Sequence, residues 1–352
     1  MSREGWLGLY EKLTGLIAKL PGGVQKPILQ ELVPIREVFL EMRPARIVLL
    51  GAAGQSVPEL FHQAVGGGSL VAGTSDNGWR TYGIAGRGEV QILDARQDVP
   101  VSFVESGFSK FSPDVLVVIS EGGRSEDLTS AAERVTKLGP EIPLVGAAFG
   151  DLSASAKLLA LFSSERAFAA RKSVVFSGAE GEVFAEGMCR LLPNPAKLEF
   201  ARLTGAKKAQ SEIAASLLKS FTAVCGVIAV QPIPLADMPI LTTLQTLMVA
   251  LIIHTTGRKA TPRLILEFIA ALGINIGAGI LFREGARALL KFIPFWGHAV
   301  SGVVAGAGTY AIGRAAIAYF VEETPLTETR KIFHRFLPKK PEALPNHPPP
   351  LP

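Results

Sequence analysis

Between residues 45 and 195, short apolar runs alternate with helical patterns. Ile47–Leu50, Val90–Leu93, Val115–Ser120, Leu144–Ala147 and Ser173–Phe176 are too short for helices and read as strands. Apolar positions at helical spacing recur between them, near Pro58–Val65, Glu126–Leu138, Ser153–Leu161 and Glu182–Leu192. This alternation predicts an α/β fold, a mostly parallel sheet with helices on both faces. In such sheets ligands sit at the carboxyl ends of the strands, so the loops that follow are the candidate sites.

Ahead of this region, Trp6, Leu7, Leu9, Tyr10, Leu13, Leu16, Ile17 and Leu20 form an amphipathic helical stripe that stops at Pro21-Gly22-Gly23. Arg3, Glu4 and Glu11 fall inside it, unlike a signal peptide, so the chain is expected not to be secreted. The stripe suits a helix packed on its own domain or one that touches a membrane. From about Ser211 the pattern changes. Ser220–Gly257 holds one formally charged residue, Asp237; Leu264–Phe282 holds only Glu267, and Phe292–Gly313 holds none. These long stretches, rich in Ala and Gly, predict an all-α hydrophobic second half. The chain then turns polar and Pro-rich, ending in PKKPEALPNHPPPLP, which is expected to be disordered or polyproline-like. The expected units are N-terminal helices over 1–44, an α/β domain over 45–200, an apolar helical domain over 205–322 and a tail over 323–352.

Composition narrows the function classes. The net charge is +5, yet charged residues are only 19% of the 352, so the basic excess is scattered. No basic stripe is interleaved with aromatics, which argues against nucleic acid. The two cysteines, Cys189 and Cys225, fit a reducing compartment. His62, His254, His298, His334 and His347 are dispersed and lack metal-ligand spacing. No Gly-x-Ser-x-Gly elbow occurs, and no Gly-x-Gly-x-x-Gly follows the first strand.

The segment after that strand has the outline of a phosphate-binding loop. Gly51, Ala52, Ala53 and Gly54 form a small-residue turn, and a helix is expected from near Ser56. A working loop of this kind needs a Lys for the β/γ-phosphates and a hydroxyl for magnesium. No Lys lies between Arg46 and Gly66. Ser56 and Glu59 instead have capping-box spacing, and Pro58 suits a first helical turn while offering neither hydroxyl nor N–H.

The order of segments over residues 45–195 resembles the Era-like branch of the small GTPase superfamily, which implies a P-loop-NTPase-like G-domain sheet. In that comparison Gly51 takes the place of the first loop Gly, with Gly54 in the same turn. Ser56, Val57 and Pro58 fall where the family has Gly, Lys and Ser/Thr. Thr74, in Gly73-Thr74-Ser75-Asp76, matches the first switch. Asp94 matches the Asp of Asp-x-x-Gly, whose Gly is Gln97 here. Asp114–Ile119 followed by Glu121–Leu128 resembles the next strand and acidic helix. Asp151 alone remains of the guanine-reading Asn-Lys-x-Asp, and Ser177 belongs to the loop beside the base.

The second half resembles a bacterial domain of uncharacterised function, the YcjF-type domain, often fused to Era-like domains. The resemblance is carried by Gln231–Pro239 (including Pro232, Pro234, Asp237 and Pro239), by Leu244-Gln245 with Met248, by Phe292–Gly297 (including Pro294 and Gly297), and by Thr309–Gly313 with Tyr319-Phe320. It implies association with membranes and GTPases. Two physical readings fit the apolar segments. Met238–Ile253, Ile265–Phe282 and Phe292–Gly313 either enter a bilayer or form a bundle docked on the α/β domain. In the bilayer reading Gly273, Gly277, Gly302, Gly306 and Gly313 let helices approach closely, with Asp237 at a broken-helix turn.

The resulting expectation is a non-enzymatic pseudo-GTPase that acts as scaffold or regulator. It uses no cofactor, GTP and magnesium being disfavoured. It associates with lipid on the cytoplasmic side of the inner membrane, peripherally or integrally. Its partner is another G-domain protein or a second copy. The alternative is an unconventional GTP-binding switch or hydrolase in which Asp94, Thr74 and Asp151 serve metal, switch and base. A third reading is a pore-like protein built on Asp237 and the Gly-rich helices.

Overall fold

The computed structural model describes residues 20–51, 56–62, 68–96, 100–120, 141–148, 152–164, 173–177, 181–230, 237–273 and 297–337, with positions 8, 11, 14, 15, 17, 18 and 65. A seven-stranded sheet organises the first half, in the order β2-β3-β4-β1-β5-β6-β7. Its strands are β1 (Ala45–Gly51), β2 (Val71–Asp76), β3 (Trp79–Ile84), β4 (Gly88–Asp94), β5 (Val115–Ser120), β6 (Leu144–Ala148) and β7 (Ser173–Ser177). β4, β1, β5, β6 and β7 run parallel, whereas β2 and β3 join antiparallel at one edge. The chain is therefore α/β with a mixed, mostly parallel sheet, followed by a helical C-terminal region.

β1 alternates its side chains between two cores, as the pleat requires. Val48 and Leu50 face one side with Trp79, Leu93, Leu116 and Val118, under α3 (Val101–Lys110) and α4 (Leu152–Ser164). The Trp79 indole donates to the Gly107 carbonyl at 3.0 Å and so fixes α3 on the sheet. Ile47 and Leu49 face the other side, toward α1 (Gly22–Phe39), α2 (Val57–Phe61), α5 (Gly181–Leu191) and α6 (Asn194–Thr204). This second core continues without a break into the helical half. There, α7 (Lys207–Val230) packs on α1, α6, α8 (Asp237–Thr255) and α10 (Gly297–Ala316), and α11 (Leu326–Phe336) lies on α10.

Several expectations change. The stripe ending at Leu20 is followed at once by a second helix, α1, which contains Pro27 and Pro34. Gln25 donates its side-chain amide to the Leu20 carbonyl at 2.7 Å, closing the earlier turn. The hairpin β2–β3 and helix α3 were unforeseen. α9 (Pro262–Ala271) stops eleven residues short of the expected Phe282, with Gly273 in a left-handed conformation just beyond it. The expected helix Glu126–Leu138 lies outside the described residues, as do Gly277, Pro232, Pro234, Pro294 and the tail from Pro338.

Among the described residues one helix, α7, is long and apolar enough to cross a membrane, and it is not one of the three segments expected from the sequence. Yet 56% of its apolar window is buried inside the fold, which makes it a core helix of the bundle. Gly306 lies against Thr222 and Gly226 of α7, and Gly313 against Leu218 and Met248, so these two glycines do bring α10 close to its neighbours. Two polar side chains of α8 find partners inside the protein. Gln245 donates to Thr309 at 3.0 Å and Thr246 to the Thr242 carbonyl at 2.7 Å.

His254, in the last turn of α8, is buried beside the Phe39 ring. Desolvation, with Arg202 nearby, lowers its pKa to about 3. An unfolded His titrates near 6.5, so below that pH the unfolded chain takes up the proton that the folded chain refuses. Stability should fall by about 1.4 kcal/mol per pH unit from about 6.5 down to about 3. Unfolding free energies from urea titrations at pH 7 and pH 5 should differ by about 2 kcal/mol more in the native chain than in His254→Asn.

Candidate functional site

β1 lies at the point where the parallel order reverses, flanked by β4 on one side and β5 on the other. The crevice beyond the carboxyl end of such a strand is where open α/β sheets bind ligands. Gly51, Asp94 and Ser177 all stand at carboxyl ends of parallel strands. Gly54 and Asp151 lie outside the described residues.

Gly51 takes φ +103°, and a Cβ there would lie 2.2 Å from the Ile119 carbonyl oxygen of β5. Its glycine identity is thus required by backbone packing, whatever the loop beyond it binds. α2 begins after Ser56 and spans only five residues, Val57–Phe61, shorter than the expected Pro58–Val65. The capping box of Ser56 and Glu59 forms. Glu59 Oε2 accepts from the Ser56 backbone N–H and from the Ser56 hydroxyl, both at 2.7 Å. These hydrogen bonds, the hydroxyl's first, hold the Glu59 carboxyl below the usual carboxylate range. The helix start therefore carries the protein's own anion. Pro58, Glu59, His62 and Ser69 line a cavity of 390 Å³ beside it. Val57 is 3% exposed and packs into the core with Leu60 and Phe61.

Asp94 is occupied too. Its Oδ1 accepts from Arg96 Nε at 2.8 Å and from the Arg96 backbone N–H at 3.3 Å, and its Oδ2 accepts from Arg96 Nη2 at 2.8 Å. This is the two-pronged guanidinium–carboxylate pairing, stronger than neutral hydrogen bonds. The Arg96 side chain is only 6% exposed, so the clamp is built into the fold. A magnesium ion at Asp94 would have to displace or face a buried guanidinium. The sequence reading missed Arg96. Its signal was the spacing, since residues i and i+2 of an extended chain share a side.

Thr74 is not a loop residue. It lies in β2, the exposed edge strand, where the register with β3 shifts between Ala72 and Ser75. Three strand spacings separate β2 from β1, roughly 14 Å, so Thr74 does not reach the Gly51 turn. Asp76, at the end of β2, pairs with Lys110 of α3. Asp114 ties the opposite end of the sheet together. It takes two hydrogen bonds from Arg43 at 2.7 Å each and one from the Arg46 N–H at 2.9 Å.

Among the described residues no group of His, Cys, Asp and Glu is placed to hold a metal ion. Burial pushes the Cys189 thiol up to about 12 and the Cys225 thiol to about 11, so both stay protonated. No protein-family model matches the chain, and comparison with characterised proteins finds no match in sequence.

Proposed function

We propose that this chain is a pseudo-GTPase that works as a scaffold or regulator. In this reading the G-domain-like sheet is a recognition surface for an active Era-like GTPase or a second copy. The observation that carries it is the Arg96 clamp on Asp94, which occupies both carboxylate oxygens at the carboxyl end of β4. The buried Val57 and the Glu59 carboxylate at the helix start support the same conclusion from the neighbouring strand. Together they leave a triphosphate with a carboxylate instead of a lysine to meet it.

The helical half serves this function as a rigid base that touches lipid by its surface, because α7 is engaged in the bundle core. Titration calorimetry of the full chain with GTP and magnesium tests the reading. No saturable heat is expected up to millimolar nucleotide; micromolar affinity would sink it. Salt washing should release the chain from membranes, and retention through carbonate would contradict the peripheral arrangement.

A further inference from the structure

Residues 330–340 hold five Lys or Arg (Arg330, Lys331, Arg335, Lys339 and Lys340) and no Asp or Glu. Phe333 and Phe336 fall among them. This run corrects the expectation that the basic excess is scattered and nowhere interleaved with aromatics. Its first seven residues form the carboxyl-terminal part of α11.

Thr329 and Phe333 are buried and hold α11 on the bundle, which fixes what the rest of the helix presents. Lys331 and Arg335, four residues apart, share one exposed face. Ile332, half-buried, and Phe336 share the neighbouring one. Phe336 meets Tyr310 of α10 edge-on, with ring centroids 5.1 Å apart, and each of these residues is still 36% exposed. A cationic stripe thus runs beside an apolar one along the outside of the bundle.

The nearby carboxylates do not cancel this charge. Glu322 is taken by Arg314, and Glu323 by Lys207 and Arg258, all cations outside the run. Glu328 pairs with Lys331 at 2.7 Å. Arg330 donates to the neutral Ala271 carbonyl, and Arg335 makes no ion pair among the described residues. Against Glu328 stand Arg330, Lys331 and Arg335, so α11 carries a net charge of +2 with His334 neutral. Lys339 and Lys340 follow in sequence before the next acid, Glu342.

Basic residues grouped beside apolar ones on a surface helix suit anionic lipid, where cations meet phosphates and aromatic rings sit at headgroup depth. Nucleic acid fits less well. Phe333 is 4% exposed, so Phe336 alone of the two rings in the run reaches solvent, and it stands edge-on to Tyr310. That leaves no series of open ring faces for successive bases.

We infer that this face of α11 binds an anionic lipid surface, with Lys331 and Arg335 toward the phosphates and Phe336 at headgroup depth. The inference rests on the reading that the helical half touches lipid, and it says where.

The test is sedimentation of the full chain with vesicles of phosphatidylcholine alone and of an equimolar mixture with phosphatidylglycerol. Binding to the mixed vesicles alone is expected, and it should weaken as salt screens the charges. Lys331→Gln/Arg335→Gln should weaken it about thirtyfold, at about fivefold per cation. Phe336→Ser should weaken it about fivefold, and that loss should persist at high salt. Binding to the mixed vesicles that neither variant weakens overturns the inference and leaves lipid contact elsewhere on the bundle standing. Binding to neither vesicle overturns both. Equal binding to the two vesicle types overturns the role of charge and with it the inference. Tighter binding to a single-stranded RNA oligonucleotide than to vesicles, lost in the double variant, assigns the run to nucleic acid and overturns it as well.

Discussion

Gly51→Ala should destabilise the chain by at least about 3 kcal/mol in urea unfolding. Two independent effects combine there. A left-handed backbone costs an L-residue about 1–2 kcal/mol. The added Cβ would also meet the Ile119 carbonyl at 2.2 Å, and neither partner is a flexible side-chain end that could swing away. Gly86, in the β3–β4 turn, separates the two effects. It has φ +80°, and a Cβ added there would meet nothing within 4 Å, so Gly86→Ala should cost only the conformational part, about 1–2 kcal/mol. Equal losses at the two sites would show that the close approach to β5 is not a constraint.

The double substitution Val57→Lys/Pro58→Ser restores the residue types of a working phosphate loop. It should nonetheless leave GTP unbound and lower stability by about 3 kcal/mol or more. Val57 sits in the core with Leu60, Phe61 and Val65, so a lysine there is either buried with its charge or forces α2 off the sheet. The Glu59 carboxylate remains one turn away and Arg96 still covers Asp94. Calorimetry with GTP and magnesium, read beside a urea midpoint, checks both halves. Micromolar binding by the double variant would mean a latent site and favour the switch reading over the scaffold.

β5, β6 and most of β1 were legible because they are buried on both faces and so read as apolar runs. β2 was not, since all six of its residues are exposed and Val-Ala-Gly-Thr-Ser-Asp has neither alternation nor branched enrichment. The bounds of α1 were obscured by Pro27 and Pro34, which usually end helices but here stand inside one held by Ile28, Leu32, Ile35 and Phe39 against the core. At the candidate site the Ser56–Glu59 cap could be read from spacing alone, because it is local. The burial of Val57 could not, because it depends on how a five-residue helix sits on the sheet. The bilayer question shows the same limit. Apolar length made the helical half look membrane-bound, and only tertiary packing shows how much of α7 is turned toward protein.

The core that runs unbroken from β1 to α11 leaves no swivel between the sheet and the bundle. A surface that grips the bundle therefore also sets the direction in which the carboxyl ends of the strands point. A protein approaching those strands from solution would meet them at one fixed angle and height above that surface, as it would a bracket bolted to a wall.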